Sequence, residues 1–184
     1  LVHYWFNCYA YGNMTSGSGL LPAGRELLKE MDRRGILLDV THLSDVSFWE
    51  AVDLFGGRIL ATHNCCRALT PHDRQFTDEQ IRCIVERRGV IGVAMDDWML
   101  VPDWKEEPGS NQRVSMEDVV NHIDHICQLA GAAEHAAIGS DLDGGYGTEQ
   151  TPGDLETVAD LHKIADILRL RGYAETDVEK IMYG

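Results

Sequence analysis

Short apolar runs of strand length alternate with stretches of helical period along most of the chain. From Pro22 to Arg34, Leu27, Leu28 and Met31 fall on one helical face, and Gly35 is placed to stop the helix. Ile36–His42 reads as a buried strand ending in polar residues. Ser44 caps a helix running to about Leu54, closed by Gly56-Gly57. Arg58–Asn64 is a second strand. Thr77-Asp78-Glu79-Gln80 has the form of a capping box and opens a helix to about Arg88. Val90–Met95 is a third strand, followed by an irregular stretch from Asp96 to Arg113 that suits a lid or rim. Ser115 starts a helix whose Met116, Val119, Val120, Ile123 and Ile126 keep helical period up to Gly131. Ala136–Asp141 is a fourth strand, and Leu155–Leu170 a last long helix. The opening Leu1-Val2-His3-Tyr4-Trp5-Phe6-Asn7 is apolar and β-prone, and reads as the inside of a further strand.

Apolar strands separated by amphipathic helices predict a parallel sheet covered by helices. Each strand ends in residues able to do chemistry: His42, His63, Asp96, Asp141, and His3 if the opening is a strand. A (β/α) barrel places reactive groups at many successive strand ends, whereas an open doubly wound sheet gathers them at one switch point. No Gly-rich nucleotide loop is present. The expected fold class is therefore α/β, about five β/α units of a TIM-like barrel, in one domain over residues 1–184.

Composition narrows the partners. The 184 residues carry a formal net charge of −14, which argues against nucleic acid or an anionic membrane surface. No apolar run approaches the roughly 18 residues of a membrane span. Cys8, Cys65, Cys66, Cys83 and Cys127 are odd in number and lack C-x-x-C spacing, so a disulfide framework is not expected and a reducing, cytoplasmic compartment is.

His42 and His63, at neighbouring strand ends, have two readings: ligands of one zinc ion, or core histidines with satisfied hydrogen bonds. Asp39 reads as a structural hydrogen-bond partner, because strand alternation turns it away from His42. Asp141 in Gly139-Ser140-Asp141-Leu142-Asp143-Gly144-Gly145 suits a general acid/base or an amine-binding carboxylate, and equally a turn cap. Arg74 is able to hold a substrate carboxylate, with a surface arginine as the plainer reading. Cys65 and Cys66 read as packed thiols, Asp96-Asp97 as a solvated loop, and His72, His122, His125, His135 and His162 as solvated side chains.

The chain resembles the membrane (renal) dipeptidase family of zinc peptidases. The resemblance is carried by Leu1–Asn7, Gly19-Leu20 with Gly24, Gly35–Ser44, Thr62–Gln80, Gly89–Val93, Gly139–Gly144, Gln150-Thr151-Pro152 with Asp154-Leu155, and Arg171-Gly172-Tyr173. It implies a metal-dependent barrel that hydrolyses dipeptides, often with a D-residue at the carboxyl end, using two bridged zinc ions. On that resemblance His42 and His63 bind one zinc, and His3 supports the tetrahedral oxyanion. Arg74 holds the dipeptide carboxylate, and Asp141 contacts the amine and shuttles a proton. The family's His-x-Asp pair and bridging glutamate have no counterpart here. The resemblance therefore implies the carboxyl-terminal part of such a barrel, with weak zinc binding and doubtful activity of its own. A homodimer is a further expectation. The alternatives are an inactive half-barrel binding module and a hydrolase of cyclic amides.

Overall fold

The computed structural model describes residues 1–15 and 17–183. Its frame is a four-stranded parallel sheet in the order β1 (Leu38–Asp39), β2 (Ile59–Asn64), β3 (Ile91–Val93) and β4 (Ala136–Ile138). A helix separates each strand from the next: α2 (Asp45–Leu54), α3 (Asp78–Glu86), then α4 (Asp97–Leu100) with α5 (Met116–Ala130). α1 (Pro22–Arg34) precedes β1, and α6 (His162–Leu170) and α7 (Glu175–Tyr183) follow β4. Spatial order equals chain order, so the described strands contain no reversal and no switch point. That is the ordering of a barrel rather than of a doubly wound sheet.

Local chemistry sets the helix ends. α1 begins with Pro22, whose missing N–H is one the first turn leaves free, and it ends where Gly35 adopts φ 66° and donates to the carbonyls of Asp32 and Met31. Ser44 Oγ accepts from the N–H of Ser47 to cap α2. Thr77 and Gln80 exchange hydrogen bonds to open α3. The core lies between sheet and helices. Leu38, Val40, Ile59, Ala61, Ile91, Val93 and Ala136 meet Phe48, Ile81, Ile84, Val119, Ile123, Ile126 and Leu168, all buried.

Several elements differ from the sequence reading. The first strand shrinks from Ile36–His42 to two residues, and Ile36 and Leu37 are about half exposed. His42 takes φ 66°, which ends the extended alternation before the histidine is reached. Leu1–Asn7 forms no strand. It lies as a loop joined by single antiparallel bridges, Phe6 to Tyr11, with Ala10 to Leu20 and Gly12 to Leu43 continuing the connection. The stretch after β3 is not one irregular loop, since it folds into α4 and a 3-10 turn at Ser110–Arg113. The last long helix is only His162–Leu170, after a 3-10 turn at Val158–Leu161, and α7 follows it.

The middle of the sheet is packed to backbone distance. A Cβ added at Gly139 would lie 2.0 Å from the Thr62 carbonyl oxygen, and one at Gly92 2.3 Å from the same atom. Because the obstacle is backbone, the strands themselves would have to move. Gly139→Ala is expected to destabilise the chain by about 2 kcal/mol or more in urea unfolding. Gly131→Ala, at φ 68° with open space around it, should lose only about 1 kcal/mol. Equal losses in the two variants would contradict the close approach.

Candidate active site

Three side chains at the carboxyl end of the sheet converge because the backbone leaves the strands abruptly. His42 at φ 66° and Asp141 at φ 57° are non-glycine residues in left-handed conformation, and Tyr4 at φ 52° is a third in the segment facing them. Such conformations cost of order 1–3 kcal/mol each and cluster at functional sites. They bring His42 Nε2 to 2.9 Å from His63 Nε2. Asp141 Oδ2 lies 3.9 Å from the same atom of His63. The His3 ring stands edge-on to His42 with centroids 4.6 Å apart.

The other nitrogen of each imidazole is already used. His42 Nδ1 is 3.2 Å from the side-chain oxygen of Asn13, which can only accept. His63 Nδ1 is 3.0 Å from Thr62 Oγ1, and the Thr62 hydroxyl donates in turn to Asp39 Oδ2 at 2.7 Å. With Asn13 and Thr62 as acceptors, both rings would carry their proton on Nδ1, which leaves the two Nε2 atoms 2.9 Å apart with no proton between them. Burial is the main force keeping them neutral. It pushes His42 down to about 2, helped by the positive charge of Arg74, and lowers His63 in the same way. Two neutral imidazoles with facing lone pairs suit two ligand positions of one zinc ion, but tetrahedral Zn–N bonds of about 2.0–2.1 Å hold nitrogens about 3.3 Å apart, so the rings would have to part by a few tenths of an ångström from their 2.9 Å contact. Among the described residues no group of three or more His, Cys, Asp or Glu side chains is placed to hold a metal.

Arg74 is buried rather than on the surface. Its loop is pinned by Arg67, which grips Asp45 at 2.8 and 2.9 Å and donates to the Gln75 carbonyl. The Arg74 guanidinium bonds the Asn64 side-chain oxygen and, at 2.8 Å, the His63 carbonyl. It makes no ion pair among the described residues. His72 Nδ1 accepts from the Arg74 N–H at 3.1 Å, and the His72 ring stacks edge-on to Trp98 at 5.0 Å. A cavity of about 400 Å³ opens beside this loop, walled by His72, Trp98, Trp104, Pro71 and Pro102.

Other expectations are corrected. Asp96 and Asp97 are buried, not solvated. Asp96 accepts from Gln150 Nε2 at 2.7 Å and Trp98 Nε1 at 2.6 Å, and burial raises it to about 6. Among the described residues neither Asp97 oxygen has a hydrogen-bond partner, and burial, with Asp96 and Asp118 nearby, raises it to about 8. His122 is fully buried. Its Nδ1 accepts from the Cys66 N–H at 3.0 Å and its Nε2 donates to the Leu100 carbonyl at 2.9 Å. His125 is half-buried against Asp78. Cys65 and Cys66 are packed thiols as expected. Burial pushes Cys65 up to about 12 and raises Cys66 as well, so neither is a thiolate nucleophile near neutral pH. Asn13 and Thr62 escaped the sequence reading. Thr62 neighbours His63 in the chain, but no sequence signal connects Asn13 to His42.

The sequence profile described as membrane dipeptidase (peptidase family M19) matches residues 7–184. The chain belongs to the membrane dipeptidase family. A Klebsiella pneumoniae protein, named as an uncharacterised protein of the pqqA 5′ region, is 31% identical over 94% of this chain and 60% of its own. The dipeptidase tcpJ of Claviceps purpurea is 29% identical over 89% of this chain and 36% of its own. Among solved structures, a Rhodobacter sphaeroides metallo peptidase bound to a phosphinate mimic of the dipeptide L-Ala-D-Ala superposes with a TM-score of 0.84. It is 29% identical, covering 97% of this chain and 51% of that one. A dipeptidase described as a metallo peptidase of family M19 superposes at 0.82 with 30% identity, covering 96% and 52%. The fold is thus part of the TIM-like barrel of membrane dipeptidases, and the chain spans about half the length of these solved relatives.

Asp97 supplies a pH test. Its folded pKa is raised, so between about pH 4 and 8 the folded chain holds a proton the unfolded chain has released, and stability falls as pH rises. Asp97→Asn removes that loss. Urea unfolding should show the variant gaining about 2 to 4 kcal/mol on the parent between pH 5 and pH 8. Parallel pH profiles would contradict the buried carboxyl.

Proposed function

We propose that this protein acts as a zinc-dependent dipeptidase that tolerates a D-residue at the carboxyl end of its substrate. The observation that carries the reading is a buried guanidinium, Arg74, without a carboxylate partner among the described residues, beside two imidazoles whose Nε2 atoms face each other. An unpaired buried cation is costly, and a ligand carboxylate repays that cost. Family membership supports the peptidase chemistry, and the dipeptide mimic on the Rhodobacter relative supports the D-residue.

His42 and His63 would hold the zinc, and the ion when bound supplies Lewis acidity and lowers the pKa of its water. The residues of the chain divide the remaining work. Arg74 fixes the carboxyl end of the dipeptide by a charge-assisted fork. Asp141 is placed beside the metal-facing nitrogen of His63. It contacts the amine, takes the proton released by the attacking water and returns it to the departing nitrogen. His3, packed edge-on to His42, lends an N–H to the oxygen that becomes negative on the scissile carbonyl. Holding both termini lets the site measure a two-residue zwitterion, which gives the exclusion of longer peptides. The five free thiols suit a reducing, cytoplasmic compartment. No helix of the described residues is long and apolar enough to cross a membrane.

Hydrolysis of L-Ala-L-Ala and L-Ala-D-Ala by the full-length protein with added zinc, set against the same peptides as C-terminal amides, tests the assignment; the 184 residues alone, without the His-x-Asp pair and bridging glutamate, should turn over weakly. Free acids should be cleaved and amides spared. Arg74→Met should raise KM for the free acids by about 10- to 100-fold, the loss expected for one charged contact, with a smaller change in kcat. Equal cleavage of acids and amides, or no cleavage with zinc present, would overturn the reading.

A further inference from the structure

We infer that Asp39, acting through the Thr62 hydroxyl, and Asn13 are positioning residues that set the proton of each imidazole on Nδ1 and so hold both Nε2 lone pairs ready for a cation. The inference rests on the proposal that His42 and His63 are metal ligands, and it adds how the chain prepares them.

The chain of donors has one direction. Asp39 Oδ1 accepts the Thr41 N–H at 2.9 Å and the Thr62 N–H at 3.3 Å, which fixes the carboxylate across β1 and β2. Asp39 Oδ2 faces the Thr62 hydroxyl at 2.7 Å. A carboxylate there only accepts, so the hydroxyl proton goes to Asp39 and the oxygen lone pairs go to His63 Nδ1 at 3.0 Å. His63 must then donate from Nδ1. On the other ring, the Asn13 N–H donates to the His42 carbonyl at 2.7 Å, and this backbone bond carries the Asn13 amide to the His42 Nδ1 side at 3.2 Å. Partners of this kind orient ligating histidines, fix the tautomer and raise basicity. Their removal typically costs 10- to 100-fold in metal affinity.

Neither residue needs to touch the metal. Asp39 works across a strand pair, so its position depends on the register Leu38 to Ile59 and Asp39 to Leu60. That register brings an aspartate three residues before one histidine to bear on the other one.

Asp39→Asn is the decisive variant, because it keeps the shape and reverses the direction. Its amide oxygen would replace Oδ1, where two N–H groups need an acceptor, and its NH2 would then face Thr62. The hydroxyl would have to accept from that NH2 and donate to His63 Nδ1, which moves the His63 proton to Nε2. Nitrogen-15 NMR of the histidines in the full metal-free chain, with zinc affinity by chelator competition, reads both consequences. The parent should show His63 protonated on Nδ1. Asp39→Asn should shift it to the Nε2–H tautomer and weaken zinc binding about 10- to 100-fold. Thr62→Val should lose the tautomer preference and Thr62→Ser restore it. Unchanged tautomer and zinc affinity in both Asp39→Asn and Thr62→Val would overturn the inference. If the parent binds no zinc, the metal assignment fails by itself, and the tautomer measurement alone still decides the positioning role.

Discussion

Two histidine nitrogens 2.9 Å apart, each presenting a lone pair, form an arrangement that repels unless a cation or a proton lies between them. Everything around the rings works to keep that arrangement. Burial and the neighbouring Arg74 charge resist protonation of His42, and the Asn13 and Thr62 oxygens occupy both Nδ1 protons. The left-handed backbone at His42 turns its ring toward β2 instead of letting it continue the strand pattern. The site is an electrostatic tension maintained by a rigid sheet, and the proposed zinc ion would relieve it.

The sheet supplies the rigidity. Parallel strands in sequential order bring consecutive carboxyl ends to one edge, so residues 42, 63, 96 and 141 are neighbours although they span much of the chain. Gly92 and Gly139 allow β3 and β4 to close against the Thr62 carbonyl, in the residue that also passes the Asp39 hydrogen bond to His63. Packing at the centre of the sheet and tautomer control at its edge therefore meet in one residue.

Much of this frame was legible in the sequence because its signals are local. Leucine spacing and Gly35 marked α1 to the residue, and Thr77 with Gln80 marked the start of α3. Histidines closing apolar runs marked the site. What could not be read depends on tertiary geometry. His122 looked solvated on a helical wheel, yet the loop after β2 folds over it and its ring bonds the Cys66 N–H. Arg74 looked like a surface residue until the Arg67–Asp45 pair folded its loop inward. Asp39 is the structural hydrogen-bond partner its position suggested, but alternation along its own strand could not show that its partner Thr62 lies on the next one. α7 was missed because little more than ten residues follow Gly172, too few for a periodic pattern to stand out.

The central claim is that His42 and His63 share one cation through their Nε2 atoms. Anomalous diffraction at the zinc absorption edge, from crystals grown with zinc, tests it directly. The account predicts a peak about 2.0–2.1 Å from both nitrogens, with Asn13 and Thr62 still in contact with the Nδ1 atoms. A zinc peak bound elsewhere in the chain, with the two rings still facing each other unoccupied, would contradict it.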